Sequence, residues 1–148
     1  METQPDFREL LALFSAHRVE CLIVGGYALA FHGAPRFTGD LDILVKPDAA
    51  NAQRIVTALE AFGFTSVGLT PNDFEHADQV IQLGTPPVRI DLITSITGVS
   101  WDEAWAGRTA GRYGDIPVYY IGRAQFITNK RATGRMKDIA DLEVLGEA

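Results

Sequence analysis

Two aspartates separated by one apolar residue, Asp40-Leu41-Asp42, lead into the apolar run Ile43-Leu44-Val45. On a strand, residues i and i+2 point to the same face, about 6.5–7 Å apart along the chain. Both carboxylates can therefore meet one cation or a pair of cations while Leu41 and Ile43 face a core. Magnesium favours one or two carboxylates together with phosphate oxygens and water. Asp91, in Arg89-Ile90-Asp91-Leu92-Ile93, is a third acid among apolar residues. If the segments 41–45 and 88–93 are neighbouring strands, Asp91 completes a three-carboxylate cluster, and such close like charges raise one another's pKa unless cations neutralise them. In the plainer reading Asp40 and Asp42 are solvated turn and edge residues, and Asp91 is the partner of Arg89 or another base.

Upstream, Ile23-Val24-Gly25-Gly26 ends one apolar strand and begins a short helix. Without Cβ atoms the glycines let backbone approach a phosphate closely, and a helix start adds N–H donors. Arg36 and Thr38 share the parity of Asp40 and Asp42, so an extended chain presents all four on one side; Arg36 then contacts a phosphate or pairs with Asp40. Near the C-terminus, Asn129-Lys130-Arg131-Ala132-Thr133-Gly134-Arg135-Met136-Lys137-Asp138 gathers four basic residues at a helix–helix junction suited to a triphosphate. There the spacing also offers Lys137 and Asp141 as an i,i+4 pair. Glycines, paired acids and basic residues in this order predict a metal-dependent nucleotide site.

The elements that must hold these residues read as follows. Asp6 is positioned to cap a first helix that buries Phe7, Leu10, Leu11 and Phe14. Glu20 to Val24 reads as a buried strand, residues up to about Phe31 as a short helix, and Leu41 to Val45 as a second strand. Pro47-Asp48 starts an amphipathic helix with Ala50, Ile55, Leu59 and Phe62 spaced for burial and Gly63 past its end. Strands follow at about Gln79 to Leu83 and Val88 to Ile93, joined by the turn Gly84 to Pro87. Ser100 caps a short helix with Trp101 and Trp105, Pro117 to Ile121 reads as a last strand, and helices at about Ala124 to Arg131 and Arg135 to Leu145 close the chain. The pattern is α/β (α+β), with a small mixed sheet and helices packed mainly on one side.

The chain has 148 residues and one cysteine, Cys21, beside Leu22-Ile23-Val24, where packing rather than reactivity is its expected role. It reads as one domain over residues 1–148 with a basic helical segment at about 122–148. No run is apolar enough to span a bilayer and the N-terminus is polar and acidic, so no membrane partner is expected and the cytoplasm is the expected compartment. The net charge of −6 argues against broad binding to nucleic acid. It is unevenly spread, at −8 over residues 1–107 and +2 over residues 108–148. His17, His32 and His76 match no metal-ligand spacing. Trp101, Trp105, Tyr119 and Tyr120 could stack a base, though packing is their commoner role.

Apolar-Gly25-Gly26, thirteen residues, Asp40-apolar-Asp42-apolar and a later apolar-Asp91-apolar resemble the signature of the polymerase-beta-like nucleotidyltransferases. Gly25-Gly26-Tyr27-Ala28, Arg36-x-Thr38-x-Asp40-x-Asp42 and the tail Lys130…Arg135-x-Lys137-Asp138…Asp141-Leu142 are similar to the bacterial abortive-infection and toxin–antitoxin members. The resemblance implies two Mg2+ ions (Mn2+ as an alternative) on Asp40, Asp42 and Asp91. It further implies a nucleotide site at Gly25, Gly26, Arg36, Thr38 and Lys130, and transfer of an NMP from an NTP, ATP included, to a hydroxyl of RNA such as tRNA, of a protein or of a small molecule. A cognate toxin or antitoxin partner is implied as well. The larger toxins of the group carry an additional domain, and none is expected within these 148 residues. The same residues also allow a binding module that senses nucleotide without turnover. The Asp-x-Asp of a nucleotide-sugar glycosyltransferase is a poorer fit, because those folds are much larger and give Gly25-Gly26 no role.

Overall fold

The computed structural model describes residues 3–33, 39–63, 68–85 and 87–147. Arg36 and Thr38 lie outside the described residues, as does Pro86 of the turn at Gly84 to Pro87. Helix α1 (Pro5–Ala16) begins at a proline with preset φ, and its N-cap is Gln4, whose side chain accepts from the backbone N–H groups of Asp6 and Phe7. Asp6 is therefore not the cap; it sits inside the first turn, where its charge meets the positive end of the helix. Phe7, Leu10, Leu11 and Phe14 are buried, as their spacing predicts.

Strand β1 (Cys21–Val24) runs straight into helix α2 (Gly25–Phe31), and strand β2 (Asp40–Val45) leads to helix α3 (Ala49–Phe62). Asp48 caps α3 by accepting from Asn51 N at 2.7 Å, and Gly63 ends it in the left-handed conformation, φ 108°. Ala50 is exposed and Asn51 is buried in its stead, a departure from the expected apolar stripe. The reason is local: Asn51 accepts from Glu20 N at 2.8 Å and donates to Glu20 O and Lys46 O, both at 3.0 Å. One amide thus ties the start of β1 and the end of β2 to α3 and satisfies backbone groups that burial would otherwise orphan.

A 3-10 turn (Pro71–Phe74) precedes β3 (Val80–Thr85), β4 (Val88–Ile93), α4 (Trp101–Ala106), β5 (Thr109–Tyr113), β6 (Ile116–Tyr120), α5 (Arg123–Thr133) and α6 (Met136–Val144). Ser100 and Glu103 form the capping box of α4. Strand β5 has no signature in the sequence: Thr109-Ala110-Gly111-Arg112-Tyr113 is short, carries a glycine and lacks β-branched residues beyond Thr109. Its strand state comes from antiparallel pairing with β6. Gly111 belongs there because a Cβ would crowd the rings of Phe31 and Tyr120, at 2.8 and 2.9 Å.

The six strands form one mixed sheet in the order β3-β4-β2-β1-β6-β5. β1 is antiparallel to β2 and parallel to β6, and β2 is parallel to β4. Strand parity separates two faces. Ile23, Leu41, Ile43, Ile90 and Leu92 lie on the face covered by α1 and α3 and belong to the core. Asp40, Asp42, Asp91 and Ile93 lie on the other. No described helix is long and apolar enough to cross a membrane.

Candidate active site

The register of the central strands assembles the acids. Val24 stands opposite Asp42 in the β1–β2 ladder, while Asp40 faces Arg89 and Asp42 faces Asp91 in the β2–β4 ladder. Three carboxylates from two strands thereby reach one end of one sheet face, as expected if these strands are neighbours. Gly25 closes the group from the β1 side. Its φ is 67°, and a Cβ there would overlap Asp42 Oδ2, so only glycine allows this turn to press on the carboxylate. The Asp42 carboxyl is pushed up to about 6, first by burial, then by the charges of Asp91 and Asp40; Lys137 and Arg89 act in the opposite direction.

The three acids are adjacent without converging. Arg89 donates from Nε and Nη2 to the two oxygens of Asp91, both at 3.1 Å, and its Nε is 3.9 Å from Asp40 Oδ2. The plainer expectation, Asp91 as partner of Arg89, therefore describes this conformation. Among the described residues no group of three His, Cys, Asp or Glu side chains is gathered tightly enough to hold a metal ion. Asp40 and Asp42 nonetheless fit a hard divalent cation. They are oxygen donors two apart on one strand, and Asp42, raised first by burial and then by Asp91 and Asp40, is a carboxyl that a bound cation would hold ionised.

The opposite wall comes from the α5–α6 junction, where Gly134 (φ 62°) turns the chain. Asp138, fully buried, organises it. Its oxygens accept from Thr133 Oγ1 at 2.7 Å, Arg135 Nε at 2.8 Å and Lys130 Nζ at 3.2 Å. Burial acts to raise the Asp138 carboxyl, but the hydrogen bonds from Arg135, Thr133 and Lys130 outweigh it and hold the group well below the usual carboxylate range. Asp141 lies 3.3 Å from Lys130 through Oδ2. The expected Lys137–Asp141 pair is thus replaced by Lys130–Asp141, because Asp138, Asp141 and Leu142 form the buried stripe of α6 and Lys137 sits beside that stripe.

Between these walls lies a cleft of about 760 Å3, lined by Gly25, Gly26, Asp40, Asp42, Lys130 and Lys137 among others. It gathers the glycines, two of the three acids and the basic tail. Lys130 reaches it as a buried cation already matched by two carboxylates. Lys137, one of the four basic residues the sequence gathers at this junction, is exposed and within electrostatic reach of Asp42, whereas Lys130, the one singled out for the nucleotide, is buried between carboxylates. Lys137 stands in the first turn of α6, one position before the buried Asp138.

None of the four aromatic residues considered as base platforms lines this cleft. Trp101 stacks on Trp105 with ring centroids 5.3 Å apart, Trp105 meets Tyr119 edge-on, and Tyr120 stacks on Phe31 at 4.1 Å. His32 ends α2, with Nε2 2.7 Å from Ile121 O. Cys21 is partly buried, and burial pushes its thiol up to about 12, as befits a packing residue.

The architecture recurs in solved structures. A lincosamide antibiotic adenylyltransferase, LnuA, with lincomycin bound, is 17% identical, with a TM-score of 0.61 over 97% of this chain and 96% of that one. A Thermotoga maritima protein described as a nucleotidyltransferase is 14% identical, with a TM-score of 0.59 over 99% and 94%. An antigenic nucleotidyltransferase-like protein from Paracoccidioides brasiliensis is 19% identical, with a TM-score of 0.57 over 98% and 76%. Identities this low establish a shared fold. No curated protein matches in sequence. The sequence model of the family described as "Nucleotidyl transferase AbiEii toxin, Type IV TA system" matches residues 9–105, about two thirds of the chain, and includes Gly25, Gly26 and all three acids. The chain belongs to the AbiEii nucleotidyltransferase family.

Proposed function

We propose that this protein transfers a nucleoside monophosphate from an NTP to a hydroxyl acceptor, with release of pyrophosphate. The observation that carries the reading is the placement of Asp40, Asp42 and Asp91 on neighbouring strands behind Gly25, with Asp42 raised to about 6. Asp40 and Asp42 would hold Mg2+, with Asp91 beside them. Bound there, the cation would offset charge on the phosphates and on the attacking and leaving oxygens. Gly25 and Gly26 give the polyphosphate a close backbone surface. Lys137 and Arg135 supply cations along the same cleft, and Lys130 holds the α5–α6 junction in place through Asp138 and Asp141. Asp91 takes the proton of the attacking hydroxyl. The new bond joins that oxygen to the α-phosphorus, and the bond from the α-phosphorus to the bridging oxygen of the pyrophosphate breaks. Arg36 and Thr38, by their place before Asp40, are candidates for further phosphate contacts. RNA (tRNA included), a protein or a small molecule is the acceptor. Membership of a type IV toxin family makes a cognate antitoxin a natural partner.

The Arg89–Asp91 ion pair favours a second reading, a nucleotide-binding module of the same fold without turnover, in which Arg89 takes the place of a cation. One assay separates the two. Wild-type protein and Asp42→Asn are incubated with Mg2+, each α-labelled NTP and a bacterial lysate, and pyrophosphate and label transfer are followed. Label and pyrophosphate from wild type alone support transfer. Magnesium-dependent NTP binding with neither product selects the binding module. Equal transfer by both proteins removes Asp42, and with it this site.

A further inference from the structure

The cleft has two chemically different halves, and their order across the sheet is fixed by topology. From β1 through β2 and β4 to β3 the sheet presents Gly25 and Gly26, then Asp40 and Asp42, then Ile93, then Val80. Neighbouring strands are about 4.8 Å apart, and Ile93 is level with Leu44 and Val80 with Ile93, so a second region lies beyond β2 from the glycines, diagonally across the sheet and two residues along the strands from Asp42. That region is made by Val80, Ile93, Ser95, Ile96 and Thr97, none of them charged. In an in-line displacement the attacking and leaving oxygens stand on opposite sides of the phosphorus. With the leaving pyrophosphate on the glycine side, the incoming hydroxyl arrives from the Val80–Ile96 side.

We propose that the neutral half of the cleft, built on Val80, Ile93 and Ile96, is the acceptor subsite, and that its acceptor is a compact, uncharged small molecule carrying a hydroxyl beside an apolar face. This rests on the nucleotidyl-transfer reading above and names the substrate class for it. Aliphatic side chains with two interspersed hydroxyl residues match such a molecule. A nucleic acid acceptor draws affinity from several Lys or Arg on its phosphates. The cations among the described cleft residues, Lys130, Arg135 and Lys137, all belong to α5, α6 and their junction, and the chain carries −6 overall. Among the described residues the charged partner on the neutral wall is an acid: Asp78 N donates to Ser95 Oγ at 2.8 Å, and Ser95 Oγ donates to Asp78 Oδ1 at 3.1 Å.

The wall is also preorganised. Thr97 O accepts from Asn129 Nδ2 at 2.9 Å, which fastens it to α5. Gly98 (φ 81°) packs so closely on α5 that a Cβ would meet the Ala132 methyl at 2.6 Å. On the other side, Gln79 N donates to Thr94 Oγ1 at 2.9 Å and Thr94 N to Gln79 O at 3.0 Å. A fixed surface of this kind selects shape with little ordering cost.

The test follows labelled nucleotide from the α-position of each NTP, with Mg2+, into three pools of one bacterial lysate: the small-molecule filtrate, total RNA and protein. Wild type, Val80→Glu and Ile96→Ser are compared, and NTP binding is measured separately by calorimetry. Val80 is 64% exposed on an edge strand, so its variant keeps the fold. The expected result is label in the filtrate, lowered about tenfold by each substitution, with Mg2+-dependent NTP binding changed less than about twofold. Label in RNA or protein, or unchanged labelling in both variants, overturns the acceptor assignment while leaving the transfer reading standing. No labelled product in any pool despite normal NTP binding, or no NTP binding by the wild type, overturns the transfer reading, and this proposal with it.

Discussion

Two sets of aspartates border the same cleft and are treated in opposite ways. On α6, Asp138 is wholly buried yet matched by Lys130, Arg135 and Thr133, which hold its carboxyl well below the ordinary range. On β2, Asp42 is less buried, lies beside two more acids, and is pushed up to about 6. Burial opposes charge in both places; the partners decide the sign. Asp138 is an acid whose charge the fold has neutralised from within. Among the described residues, Asp42 is an acid held up first by burial and then by two neighbouring acids, and a carboxyl perturbed in that way is expected at a functional site more than in a scaffold.

The comparison breaks first at Asp138. Asp138→Ala leaves Lys130 in a buried position with part of its counter-charge gone, and should cost about 3–5 kcal/mol in chemical denaturation. A loss under about 1 kcal/mol would mean that the junction does not depend on this charge balance.

Asp42→Asn should act the other way and stabilise the cation-free protein. The folded-state pKa of about 6 lies above the ordinary carboxylate value, so the folded state holds the proton more tightly than the unfolded chain does. The stability this confers is fully present below pH ~4 and is lost as pH rises through ~6. The variant should therefore exceed wild type by up to about 3 kcal/mol at pH 7.5, with the gap closing toward pH 4. A constant gap across that window would remove the electrostatic explanation. Because Asp42 must lose its proton to hold a cation, Mg2+ affinity of the wild type should fall as pH drops below about 6.

The smallest effect sharpens the contrast between two lysines of the same cleft. Lys137→Ala should raise the KM for NTP about tenfold and change stability by less than about 0.5 kcal/mol, since the side chain is exposed and its expected partner is a ligand phosphate. Lys130→Ala should mainly destabilise the fold, because it strips a buried cation from Asp138 and Asp141. Similar stability losses in both variants would erase the distinction.

The sequence was most legible where chemistry and local period coincide. Gly25-Gly26 after an apolar strand and Asp40-Leu41-Asp42 opening another each announce their conformation and their content, and the placement of Asp91 needed only the adjacency of β2 and β4. The tail was read correctly as two helices around a basic junction, but the partners within it were not legible. Lys130 and Asp138 are eight positions apart and meet only because Gly134 turns one helix into the next. Arg89 holding Asp91 was foreseen only as the plainer alternative, since geometry alone decides whether a base two positions away reaches an acid. Strand β5 escaped because its pairing with β6, rather than its own residues, makes it a strand. The neutral wall at Val80, Ile93 and Ile96 escaped because apolar residues near a predicted site read as core until the sheet order places them across the acids.

The most direct test of the central claim is thermal and chemical unfolding of wild type and Asp42→Asn with and without Mg2+ at pH 7.5. If Asp40 and Asp42 form a cation site whose uncompensated charge Mg2+ relieves, added Mg2+ will stabilise the wild type, and the variant, already more stable without it, will gain little. A wild type indifferent to Mg2+, or two proteins stabilised by it equally, would contradict the account.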